Sequence, residues 1–175
     1  DLNQWSPKYT QMEKRPLRIG HAPSDRKTKG TQLIIDALDS LNQSGYRFEF
    51  ILIEGLSNEE ARKKYETIDV LVDQLFAGWY GGLAVEAMAL GKPVLVYLRE
   101  EDFKFVPTKM VEDFPFIQVC PETIRDGLEK LLNMSRSELL NLGKLSRRYV
   151  ESWHDPIRIV NDIKSDYERA LRARL

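Results

Sequence analysis

The stretch DVLVDQLFAGWYGGLAVEAMALGKPVLVYL, Asp69–Leu98, reads as one strand–loop–helix–strand unit. Asp69–Asp73 is an apolar β-run, and Gly78-Trp-Tyr-Gly-Gly82 is a glycine-bounded loop. Leu83–Leu90 is a helix whose single charge is Glu86; Gly91 is the expected helix stop, and Val94–Leu98 is the next strand. A helix apolar on nearly every side is buried, and strands that are apolar throughout belong to a parallel sheet covered on both faces.

The same alternation extends in both directions. Upstream, Leu17–Ile19 is a short strand running into His21-Ala-Pro-Ser24, where Pro23 stops it. Thr31–Leu41 places Leu33, Ile34, Ala37, Leu38 and Leu41 on one helical face, and Phe48–Ile53 is a second strand. Ser57-Asn-Glu-Glu60 has the capping-box form that satisfies orphan amides of a first turn. Downstream, a charged irregular stretch leads to a weak strand at Phe116–Val119 and a helix from Pro121 to about Asn133. A second capping box, Ser135-Arg-Ser-Glu138, opens a leucine-rich helix. The last helix begins at Pro156 and aligns Ile157, Val160, Ile163, Tyr167 and Leu171. Together these predict an α/β fold: a doubly wound, Rossmann-like parallel sheet with helices on both faces. Residues 17–175 form the expected domain. Residues 1–16 show neither period and read as a linker or excision boundary of a longer protein.

The 175 residues carry 26 Lys and Arg against 27 Asp and Glu, a balance that argues against a dedicated nucleic-acid binder. One cysteine, Cys120, forms no intrachain disulfide and is expected to be a small buried hydrophobe. With no apolar run of about 18 residues and no signal peptide at its start, the sequence is expected to be cytoplasmic and without a transmembrane segment.

In doubly wound sheets ligands bind at the carboxyl ends of the strands, so two loops carry the functional question. In His21–Gly30, the cations Arg26, Lys27 and Lys29 precede a helix N-terminus, which favours a phosphate or diphosphate; a solvated basic turn is the plainer reading. In Gly78–Gly82, Gly81 and Gly82 permit close approach to backbone amides where the next helix starts. Glu86, a lone carboxylate in an apolar helix, needs a partner or a task, and a cis-diol such as a ribose suits it. Asp69 and Asp73 share strand parity and read as strand-end residues. Trp79 and Tyr80 stack on a ligand or pack against a partner domain, and His21 is more readily structural than catalytic.

The run Gly78–Val94 resembles the donor-site signature of retaining glycosyltransferases of the GT-B fold, family-4 or group 1 type, and His21–Gly30 is similar to that family's basic phosphate loop. The resemblance extends from Leu17 to Leu175 and implies the C-terminal, nucleotide-sugar-binding half of such an enzyme. It implies a hexosyl-type glycosyltransferase of carbohydrate biosynthesis, inactive as this isolated domain and, at full length, associated with the membrane periphery if anywhere. The acceptor would be bound by an N-terminal domain, and neither metal nor cofactor would be needed. Glu86 would bind the ribose hydroxyls, Gly81, Gly82 and Leu83 the donor phosphate or sugar. Arg26 and Lys29 would neutralise the departing diphosphate, serving catalysis electrostatically. Two positions depart from the pattern. Gly78 stands where the family has a glutamate that touches the donor sugar, and Ser24, counted here with the donor-binding residues, stands where it has an arginine. The missing glutamate keeps open a sugar-nucleotide epimerase or phosphorylase on the same architecture, and a non-catalytic nucleotide-binding or docking domain is the third reading.

Overall fold

The computed structural model describes residues 2–10 and 15–172. Five parallel strands, β1 (Leu17–His21), β2 (Phe48–Leu52), β3 (Val70–Val72), β4 (Val94–Val96) and β5 (Ile117–Gln118), form one sheet in the order β2-β1-β3-β4-β5. Register is set by Leu17 opposite Phe48, Ile19 opposite Val70, Leu71 opposite Val94 and Leu95 opposite Ile117.

Strand parity divides the core in two. Ile19, Val70, Val72 and Leu95 point to one face, where α2 (Thr31–Gln43) and α6 (Ile124–Leu132) contribute Ile34, Leu38, Leu41, Leu128 and Leu131. Leu71, Val94 and Val96 point to the other, against Ala84, Ala87 and Met88 of α4 (Gly82–Ala89) and Tyr149 and Val150 of α7 (Arg136–Trp153). Gly143 of α7 lets that helix close on α4: a Cβ there would collide with the Gly91 carbonyl. The expected elements are present, with β1 two residues longer than expected and the other strands shorter. Both capping boxes form, Ser57 with Glu60 at the start of α3 (Asn58–Thr67) and Ser135 with Glu138 at the start of α7. Within residues 17–172 two pieces are additional, beyond a 3₁₀ turn at Leu2–Gln4. A four-residue helix, α1 (Arg26–Lys29), lies inside the basic loop, and the charged stretch folds as a 3₁₀ segment, Glu100–Phe105, followed by α5 (Thr108–Glu112).

The leading residues, read as a linker, lie against the domain. The Lys8 amide donates to Leu90 O (2.8 Å), and Arg147 donates to Trp5 O and Ala89 O, satisfying carbonyls at the end of α4 that helix geometry leaves open. Lys92, almost wholly buried, donates to Lys8 O and Glu66 O, and burial pushes its ammonium down to about 8. Asp69 accepts both guanidinium nitrogens of Arg15, at 2.6 and 2.9 Å, and the Arg18 amide at 2.9 Å. Arg136 lies 3.5 Å away.

The last helix, α8 (Pro156–Arg172), forms as expected, and its aligned apolar face is bare: Ile157 and Tyr167 are each 70% exposed, with Val160, Ile163 and Leu171 also exposed. No helix among the described residues is long and apolar enough to cross a membrane.

Candidate functional site

The chain reverses its direction of progress across the sheet between β1 and β3, and loops leaving the carboxyl ends of such strands diverge to leave a crevice. A cavity of about 550 Å³ lies there. Its walls are Ala22–Ser24 after β1, Ile53–Leu56 after β2, Asn58, Ala61 and Tyr65 of α3, Lys29, and Gly81–Leu83 at the start of α4.

Each wall has a local cause. Asp25 caps α1 by accepting from the Thr28 amide (2.7 Å), which fixes the helix that carries Lys29. Lys29 turns its Nζ to Asp73 Oδ1 at 3.0 Å, and Asp73 Oδ2 accepts from the Gly81 amide at 3.0 Å. Asp73 is fully buried, whereas the Lys29 side chain keeps 19% exposure at the cavity. Gly81 is the N-cap of α4 and supplies no side-chain cap, so the amides of the first turn remain available, as helix geometry dictates.

The sequence-predicted residues separate into two groups. Ser24, Lys29, Gly81, Gly82 and Leu83 share the cavity wall. Arg26 is 60% exposed and forks onto Glu54, Nε to Oε1 at 2.8 Å, and that hydrogen bond holds the Glu54 carboxyl below the usual range. Glu54 lines the cavity, and Arg26 lies outside its wall. Glu86, half-buried, borders a second cavity of about 250 Å³ with Leu2, Trp5 and His154. Burial raises its carboxyl, partly offset by Arg62. Glu86 is not among the residues lining the main cavity.

The loop between Asp73 and Gly81 is built from within. Gln74, buried, accepts from the amides of Phe76 (2.9 Å) and Ala77 (2.6 Å) and donates to Trp79 O (2.5 Å), replacing ladder bonds the chain has left behind. Gly78 takes φ +75°, and a Cβ there would lie 3.1 Å from Arg99. Trp79 and Tyr80 pack inside the protein: their rings stack at 5.2 Å within a group that includes Phe114, Phe116 and Tyr149. The Tyr80 hydroxyl, pushed up to about 12 by burial, meets Tyr149 Oη at 2.8 Å and His154 Nε2 at 3.0 Å.

His21 is structural, fully buried between Val72 O and Thr31 Oγ1, both at 2.8 Å, and burial lowers its pKa. Cys120 is half-buried, with Sγ 3.2 Å from Thr123 Oγ1, more open than the small buried hydrophobe expected. Asp73 and Gln74 were missed as site-shaping residues. The available signal was their polarity at the end of an otherwise apolar strand, where a strand-end reading absorbed it.

No family model matches the chain, and no curated protein matches it by sequence. Solved structures do. Sucrose-phosphate synthase from Thermosynechococcus elongatus is 16% identical with a TM-score of 0.69, over 99% of this chain and 51% of that one. HepE from Anabaena, solved with UDP-glucose, is 15% identical with a TM-score of 0.64, over 97% of this chain and 55% of that one. The C-terminal domain of LpcC, a glycosyl transferase group 1 family protein from Francisella tularensis, is 22% identical with a TM-score of 0.58, over 89% and 98%. The chain spans about half the length of the synthase and of HepE and nearly all of the excised LpcC domain. Its fold is that of the C-terminal, Rossmann-like domain of a group 1 glycosyltransferase of the GT-B type.

Proposed function

We propose that this chain is the donor-binding domain of a retaining glycosyltransferase that takes a sugar from a nucleotide diphosphate and gives it to an acceptor held by an N-terminal domain. One observation carries the reading: the open amides of α4, the Lys29 ammonium and the loop Ala22–Ser24 converge on a single cavity at the reversal of the sheet. A helix N-terminus beside a cation suits a diphosphate, and UDP-glucose, the ligand in the HepE structure, belongs to that class. In this reading Lys29, with Arg26 once released from Glu54, spreads the charge of the leaving diphosphate; no metal is required. Glu86 takes the ribose hydroxyls once its side chain turns out of the second cavity, where it stands with Leu2 and Trp5. The bare face of α8 is the surface that the acceptor domain covers, in keeping with a chain half the length of the synthase.

Gly82 offers a direct test, because nothing lies within 4 Å of where its Cβ would stand. Gly82→Asp puts a carboxylate on the first turn of α4, where the helix dipole tolerates it and a phosphate does not. The variant is expected to melt no lower than the wild type and to bind UDP, GDP or ADP at least about tenfold more weakly by calorimetry, the loss of one charge-assisted contact. A wild-type chain that binds no nucleoside diphosphate, or a Gly82→Asp chain that binds one equally well, ends the proposal.

A further inference from the structure

We infer that Asp73 is a built-in counter-ion for the diphosphate, holding Lys29 while the pocket is empty and reclaiming it as the nucleoside diphosphate leaves. The inference rests on the donor-site reading above and adds a control on product release. Asp73 is a positioning residue, acting through Lys29 and Gly81.

Asp73 stands at the carboxyl end of the central strand, fully buried, with one oxygen on Lys29 Nζ and the other on the Gly81 amide, each at 3.0 Å. A carboxylate removed from water binds its partner with little screening. Its ammonium partner is different: Lys29 keeps 19% exposure and lines the cavity, so it can turn from Asp73 to a ligand without crossing any packed layer. The neighbouring cation is also engaged, since Arg26 forks onto Glu54. Lys29 and Arg26 therefore already have carboxylates, and an entering diphosphate must compete with Asp73 for Lys29. The second oxygen of Asp73 takes the Gly81 amide out of that competition and leaves the following amides of α4 to face the ligand. Such an arrangement weakens the hold on every nucleoside diphosphate and leaves the nucleoside portion untouched.

The test is calorimetric titration of the chain with UDP, GDP and ADP and with the corresponding nucleosides, at two salt concentrations. Asp73→Asn keeps an oxygen for the Gly81 amide and removes the charge. It is expected to bind the nucleoside diphosphate about tenfold more tightly, the value of one charge-assisted hydrogen bond, with nucleoside affinity unchanged and a steeper salt dependence. Lys29→Gln is expected to lower diphosphate affinity more in the Asp73→Asn background than in the wild type, the signature of coupled groups. A purely structural Asp73 would give weaker binding of diphosphate and nucleoside alike. That result, or an unchanged ratio between the two, overturns the inference while leaving the donor site standing. If Asp73→Asn does not fold, Asp73→Ser carries the same expectation. Failure of the wild type to bind any nucleoside diphosphate instead brings down the donor-site reading itself.

Discussion

At the amino end of β3 the Asp69 carboxylate receives both arms of Arg15 and the Arg18 amide, with Arg136 close by; at the carboxyl end, four residues on, Asp73 receives one lysine and one amide. Both residues are buried, and both leave the same short strand. The difference lies in what surrounds them. Asp69 is enclosed by cations that lie away from any cavity wall described above, and it fastens the leading segment and α7 to the sheet. Asp73 is held by groups that face a cavity. One end of the sheet is closed by saturated charge, and the other keeps a charge that a ligand can claim.

Substitutions that separate the two ends test this contrast. Asp69→Ala deprives Arg15, the Arg18 amide and Arg136 of one shared buried acceptor and is expected to destabilise the chain by about 3–5 kcal/mol, seen as a lower denaturant midpoint. Asp73→Asn should change stability far less, because only Lys29 loses a charge partner and asparagine keeps an oxygen for the Gly81 amide. Equal losses at the two positions would erase the distinction. Glu86→Gln probes the cavity side more gently. Burial raises the folded pKa of Glu86, so its ionised form is disfavoured at neutral pH and the stability it contributes is lost as pH rises through that raised value. Its replacement is expected to lift the melting temperature by about 1–2 °C while weakening nucleotide binding about tenfold, the pattern of a residue kept for function. A fall in both quantities would make Glu86 structural.

Lys92 tests the closed side through pH. Its folded pKa is depressed to about 8 by burial, below the ordinary value of 10.5. Between those limits the unfolded chain holds the proton more firmly, so stability rises with pH from about 8 to 10.5 and is flat just below. Comparing wild type with Lys92→Met by urea denaturation at pH 7 and pH 10 should show the wild type gaining on the variant at the higher pH. No relative gain would mean that Lys92 titrates as an exposed amine.

The sheet and helices were readable because their signals are local. Apolar periodicity, the two Ser-x-x-Glu boxes and Gly91 each act within a turn or two of themselves. The helix α1 was equally local, since Asp25 caps Thr28 three residues on, but the cations around it drew attention to charge and away from shape. The two aspartates were beyond reach for another reason: Asp69 pairs with Arg15 across 54 residues and Asp73 with Lys29 across 44, and no periodicity records such distances. The leading segment was opaque because its partners lie far along the chain: Lys92 and Arg147 take its backbone carbonyls, Arg62 covers the Trp5 ring, and Thr10 donates to Asp69 O. Periodicity drew the apolar stripe of α8, yet amphipathicity cannot tell whether a stripe is covered by its own domain or by another.

Gly78 has a practical bearing on anyone who would retrofit the carboxylate that the related motif carries there. The left-handed backbone resists any side chain, and the Arg99 guanidinium already fills the room one would need. A lone Gly78→Glu exchange would distort the turn before it met a sugar. Grafting that function requires remodelling Arg99 and the loop together, so the two positions have to be engineered as one unit.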